Sequence, residues 1–132
     1  MIVGVGHDVA DMERFESILG GKTAERFMMR ILTEQEREVA SRYEGKRLVQ
    51  YVSGRFAAKE AVVKALGCGI GGTVGFEDIA IVPDANGKPL CALKPEAWER
   101  LGLNMESHKL HVTITHDKAI ASAVAIAECL SV

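Results

Sequence analysis

Four side chains carry the chemistry this sequence could perform: Asp8, Glu60, Lys64 and His116. Asp8 follows a run of apolar and glycine residues, Glu60 and Lys64 stand four apart within GRFAAKEAVVKALG, and His116 closes HVTITH. Two carboxylates with no Cys or His at ligand spacing favour a hard cation such as magnesium over zinc. Magnesium takes one or two protein carboxylates and fills its shell with water and phosphate oxygens. If Asp8 and Glu60 meet in the fold, the implied ligand is therefore a phosphate ester or pyrophosphate. Lys64, one helical turn beyond Glu60, then neutralises charge on the same phosphates. Each residue also has an ordinary structural reading. Asp8 can cap the following turn, Glu60 and Lys64 can form a helix pair worth about 0.3 kcal/mol, and His116 can be a hydrogen-bonded strand-end residue.

The elements that must position these groups follow from periodicity. MIVGVGHDV reads as a short buried strand ending at His7 and Asp8. Asp11 then caps a helix through Arg14, Phe15 and Ile18 to the stop at Gly20 and Gly21. Thr23 to Ile31 forms a second helix, with Arg26 and Arg30 on one face and Phe27 and Ile31 on the next. Thr33 with Glu36 is a capping-box pattern opening a third. The longest helix runs from about Arg47 to Leu66 and is closed by Gly67. Its second half is apolar around nearly the whole circumference, which marks it as buried and leaves Lys59, Glu60 and Lys64 needing a reason to be there.

Beyond Gly67 lies a glycine-rich loop in which Gly69, Gly71 and Gly72 allow close backbone approach to a ligand, without a P-loop or Rossmann fingerprint. Ile79 to Leu93 reads as a hairpin turning at Asn86 and Gly87, Pro95 to Leu103 as a short helix, and the chain closes with two strands joined at Asp117 and Lys118. Alternation in HVTITH puts His116 on the side of Val112 and Ile114. The order strand, helices, then mostly strands predicts one α+β domain over residues 1–132.

Composition narrows the function classes. A formal charge of -2 argues against a nucleic-acid binder, and no apolar run reaches the roughly 18 residues that span a membrane. With no secretory signal at the start, the expected location is cytoplasmic. Cys68, Cys91 and Cys129 are odd in number and widely spaced, indicating neither disulfide framework nor zinc site. Residues 1–66 hold 11 basic against 10 acidic residues and residues 67–132 hold 5 against 8, so a basic surface belongs to the first half.

Taken together and in order, GVGHDVADMERF, GRFAAKEAVVKALGCGIG, the turn NGKP and HVTITH resemble the holo-acyl carrier protein synthases, the short bacterial 4'-phosphopantetheinyl transferases, over essentially the entire chain. The resemblance implies a mainly antiparallel sheet packed on a long helix, assembled as a trimer with active sites between subunits. It implies transfer of the phosphopantetheine arm of coenzyme A to a serine of apo-acyl carrier protein, releasing 3',5'-ADP and supporting fatty acid biosynthesis. Asp8 and Glu60 become the magnesium ligands and Lys64 the stabiliser of charge at the phosphoanhydride, with Glu60 the first choice of base and Asp8 the second. His116 contacts a coenzyme A phosphate, Lys46 and Arg47 the 3'-phosphate, Lys64 and Gly67 border the coenzyme, and the turn from Asn86 to Pro89 borders the adenine. An acidic, helical carrier seeks a basic face, which Arg14, Arg26 and Arg30 around Ile18 and Phe27 supply.

Three departures from the family pattern stand out: His7 before Asp8, with consequences for metal affinity or pH profile; Val63, which removes a hydrogen bond to substrate available elsewhere; and a longer stretch from Pro95 to Lys109. Two rival readings use the same residues. One is a magnesium-dependent hydrolase of nucleotide pyrophosphates; the other is a non-catalytic module binding coenzyme A or carrier proteins.

Overall fold

The sheet that carries Asp8 is covered on one side by a single long helix. In a computed structural model describing residues 1–131, the chain runs β1 (Ile2–Asp11), α1 (Met12–Leu19), α2 (Ala24–Ile31), α3 (Glu34–Ala40), α4 (Gly45–Ala65), β2 (Ile79–Pro83), β3 (Pro89–Leu93), α5 (Pro95–Leu101), β4 (His108–His116) and β5 (Ile120–Cys129). Strands β1, β5 and β4 form an antiparallel sheet in that spatial order, and β2 and β3 form a separate hairpin. This is the α+β architecture expected, with antiparallel strands on a long helix.

Small residues set the depth at which α4 sits. Ala121, Ala123, Ala125 and Ala127 alternate along β5 and are buried, as are Ala57, Ala58, Ala61 and Ala65 on the helix. On β1 the approach is closer still. A Cβ at Gly4 would lie 1.7 Å from the Ala65 carbonyl oxygen, and one at Gly6 would lie 1.9 Å from that of Ala61. Only glycine permits this contact, and it brings the next inward-facing residue of β1, Asp8, beside the last turns of α4.

Local signals explain the other elements. Asp11 accepts from the Glu13 amide at 3.1 Å and caps α1. Thr33 and Glu36 form the reciprocal capping box at the start of α3. Gly67, at φ +78°, takes the left-handed position after α4, and Gly87, at φ +83°, turns the hairpin. Phe15 is fully buried and meets Phe27 and Phe56 edge-on with ring centroids 5.8 and 5.2 Å away, which ties α1 and α2 to α4.

Three expectations need correction. β1 does not stop at Asp8 but continues to Asp11, because Asp8 to Asp11 keep their register against Ala123 to Ile120. Nor is β1 buried on both sides: Val3, Val5 and Val9 face outward from the sheet surface opposite α4 and are exposed. The helix that begins at Pro95 also ends earlier than Leu103, at Leu101, because Gly102 adopts φ 71°.

Candidate active site

Strand alternation points Asp8 toward α4, where it meets Lys64. The Lys64 ammonium donates to Asp8 Oδ1 at 3.2 Å and to the His7 carbonyl oxygen at 2.9 Å. Lys64 therefore turns away from the Glu60–Lys64 helix pair that spacing offered and toward β1, and Asp8 is no cap, since Asp11 fills that role. Glu60 stays close enough to be repelled. Burial, together with the Asp8 carboxylate, pushes the Glu60 carboxyl above its ordinary value, and Lys64 pulls it partly back. Two carboxylates thus share one ammonium and retain excess negative charge.

That donor set fits a hard divalent cation. Two anionic oxygen ligands with a surplus of charge suit a magnesium ion that keeps several waters or phosphate oxygens of its own. Among the described residues no group of three or more His, Cys, Asp and Glu side chains gathers into a fuller ligand cage.

Glu60 also lines a cavity of about 280 Å³ whose other walls are Arg14, Phe27, Arg30, Ile31, Phe56, Ile70 and Phe76. Three of the five residues expected to meet a carrier, Arg14, Phe27 and Arg30, are therefore gathered around the candidate base. Half-buried Ile18 and exposed Arg26 sit on the same two helices outside the cavity lining. Phe56, Ile70 and Phe76 were not among the expected residues. Their one legible signal was apolar character beside the helix and the glycine loop. That loop is braced from α5: Arg100 donates to the Thr73 carbonyl at 2.8 Å and to Asp78 Oδ2 at 2.8 Å.

A second cavity, of about 170 Å³, is lined by Tyr43, Arg47, Gln50, Tyr51, Gly54, Arg55, Ile114 and His116. Arg47 stacks over Tyr43 and Arg55 over Tyr51, at 4.7 and 4.4 Å from the ring centroids. The Arg55 Nε and Tyr51 hydroxyl are buried without a hydrogen-bond partner among the described residues. Arg55 was missed from sequence, although Arg47, Tyr51 and Arg55 repeat at intervals of four on one helix face. Lys46 does not join Arg47 here and lines a different cavity with Glu16 and Lys118. Asn86 and Pro89 lie at the β2–β3 turn, and no hydrogen bond links them to Asp8, Glu60 or Lys64 among the described residues.

The structure orients two of the three departures. The His7 imidazole points to the open side of the sheet and pairs with Ser122 Oγ at 2.9 Å, so only its carbonyl reaches the site. Val63 is fully buried and packs in the core.

Residues 4–125 match the model of the 4'-phosphopantetheinyl transferase superfamily, and the chain belongs to that family. Among curated relatives, a holo-[acyl-carrier-protein] synthase of Bacillus cereus is 44% identical over 99% of both chains. A Bacillus anthracis holo-(acyl-carrier-protein) synthase, solved in complex with CoA (3',5'-ADP), superposes with a TM-score of 0.83 at 42% identity and covers 98% of each chain. The Helicobacter pylori synthase in complex with coenzyme A superposes with a TM-score of 0.80 at 29% identity, over 94% of this chain and 99% of its own.

Proposed function

We propose that this protein transfers the 4'-phosphopantetheine arm of coenzyme A to a serine of apo-acyl carrier protein, releasing 3',5'-ADP, in support of fatty acid biosynthesis. The observation that carries this reading is the Asp8, Glu60 and Lys64 cluster, whose Glu60 also lines a cavity of arginines and aromatic side chains. A carrier docked on Arg14 and Arg30 brings its serine to the carboxylates, and the coenzyme A complexes of the Bacillus anthracis and Helicobacter pylori synthases support coenzyme A as the donor.

Asp8 and Glu60 would hold magnesium, whose chemistry when bound is to neutralise the pyrophosphate. Lys64 adds a point charge on the bridging and leaving oxygens. The serine hydroxyl attacks the phosphorus attached to pantetheine in line, the phosphoanhydride bond breaks, and the hydroxyl proton passes to Glu60.

We place the active site between subunits of a homotrimer, each a single domain, in the cytoplasm. Arg47 and Lys64 are seventeen residues apart on α4, about 25 Å along the axis. That is more than one coenzyme's 3'-phosphate and pyrophosphate can span, so a second copy must bring its Arg47, Arg55 and His116 to complete the grip. Val3, Val5 and Val9, with Val124 and Ile126 on the neighbouring strand, give the open face of the sheet an apolar surface for that contact. The three cysteines are free thiols, and among the described residues no helix is long and apolar enough to cross a membrane.

The test is mass spectrometry of apo-carrier incubated with the protein, coenzyme A and magnesium. A gain of about 340 Da, lost with EDTA, is the expected mark of one transferred arm. Release of 3',5'-ADP without any carrier would instead indicate a hydrolase, and coenzyme binding with no gain on several carriers would indicate a binding module. Val5→Asp should convert the sedimenting trimer to monomer and remove transfer with it.

A further inference from the structure

The sequence left Lys59 without a role, and the structure places it at a junction. Its side chain is fully buried, and all three of its ammonium protons are donated: to Glu36 Oε1 at 2.6 Å, to the Ile31 carbonyl at 2.8 Å and to the Phe76 carbonyl at 3.1 Å. Glu36 is equally buried and fully engaged, accepting from the Thr33 amide through Oε1 and from the Ile81 amide through Oε2, each at 2.8 Å. One ion pair therefore joins the end of α2, the start of α3, the segment before β2, β2 itself, and α4.

Two of these attachments are walls of the cavity beside Glu60. Ile31 and Phe76 both line it, and Lys59 holds both carbonyls from the residue preceding Glu60. Ile31 also ends the helix that carries Phe27 and Arg30. The Lys59 ammonium thus fixes how far α2 and the Phe76 segment stand from the face of α4. A buried, hydrogen-bonded charge holds such spacing more sharply than apolar packing, which tolerates small shifts.

We propose that Lys59, locked by Glu36, is a positioning residue for carrier recognition: it sets the width of the cavity in which the carrier is seated beside Glu60. The proposal rests on the carrier reading of that cavity.

The test compares the unmodified protein with the double variant Lys59→Met/Glu36→Gln, which removes both charges together and leaves neither bare. The expected result is a rise of about tenfold in KM for apo-carrier, with KM for coenzyme A and kcat within about twofold. Carrier and coenzyme parameters worsening together, or neither changing, would overturn the proposal and leave the pair a core staple. Should the variant fail to fold by circular dichroism, the unmodified protein decides. Apo-carrier titrated into the ¹⁵N-labelled protein should shift the amides of Leu32 and Glu77, whose peptide groups contain the two held carbonyls, while coenzyme A alone leaves them in place. Unmoved amides in the presence of bound carrier would reject it. Absence of transfer by the unmodified protein to any carrier would be a failure of the functional reading, separate from either outcome.

Discussion

Helix α4 carries two lysine–carboxylate pairs five residues apart, and they behave in opposite ways. Lys59 and Glu36 are 0% exposed, lie 2.6 Å apart and have their polar atoms committed to each other and to the surrounding backbone. Lys64 and Asp8 lie 3.2 Å apart with side chains 51% and 18% exposed, and a second carboxylate, Glu60, stands beside them. The first pair is closed: nothing more can bind to it, and its worth lies in holding five segments together. The second is open and oversupplied with negative charge, which is the condition for taking up a cation and an anionic substrate. Satisfied charge builds structure, and unsatisfied charge builds a site.

Removing one member of each pair is the sharpest way to break this contrast. Lys59→Met alone leaves Glu36 buried and unpaired and should cost about 3–5 kcal/mol of stability, read as a lowered denaturation midpoint with unchanged m-value. Glu60→Gln or Asp8→Asn should instead lower kcat by about 10²–10³-fold with the fold intact. If Glu60→Gln unfolds the protein, the two pairs are alike and the contrast fails.

A pH series sharpens the same point. Because the folded state raises the Glu60 pKa above 4.5, the folded protein holds that proton more tightly than the unfolded chain. Stability from this group is greatest in acid and is lost as pH rises through the raised value. In metal-free buffer Glu60→Gln should therefore match the unmodified protein below about pH 4.5 and exceed it at neutrality. Added magnesium should raise the melting temperature of the unmodified protein and leave that of Glu60→Gln unmoved.

Smaller effects lie further out. Arg14→Glu should raise KM for carrier about tenfold, near 1.4 kcal/mol, with a weakened salt dependence and little change for coenzyme A. Glu38→Ala removes an exposed helix pair with Arg42 at 3.6 Å and should shift stability by less than about 0.5 kcal/mol.

Much of this was legible in the residue order. The helix caps at Asp11 and Thr33, the stop at Gly67, the hairpin turn at Gly87 and the strand alternation in HVTITH are local signals, fixed by a few neighbouring residues and the backbone angles they favour. Asp8, Glu60 and Lys64 stood out because charge is costly in an apolar strand or an all-round apolar helix, and their types alone pointed to phosphate and a hard cation. What each charge does was settled only by packing. Spacing paired Lys64 with Glu60, yet the approach permitted by Gly4 and Gly6 brought Asp8 to it instead. Lys59 gained its partner from α3, Arg55 its cavity from β4, and His7 its direction from the register of β1 with β5. These are contacts between segments far apart in the chain, and no local periodicity encodes which of them meet. Residue chemistry determined what this protein could bind, and the tertiary structure decided which charges were spent on the core and which were left free to do so.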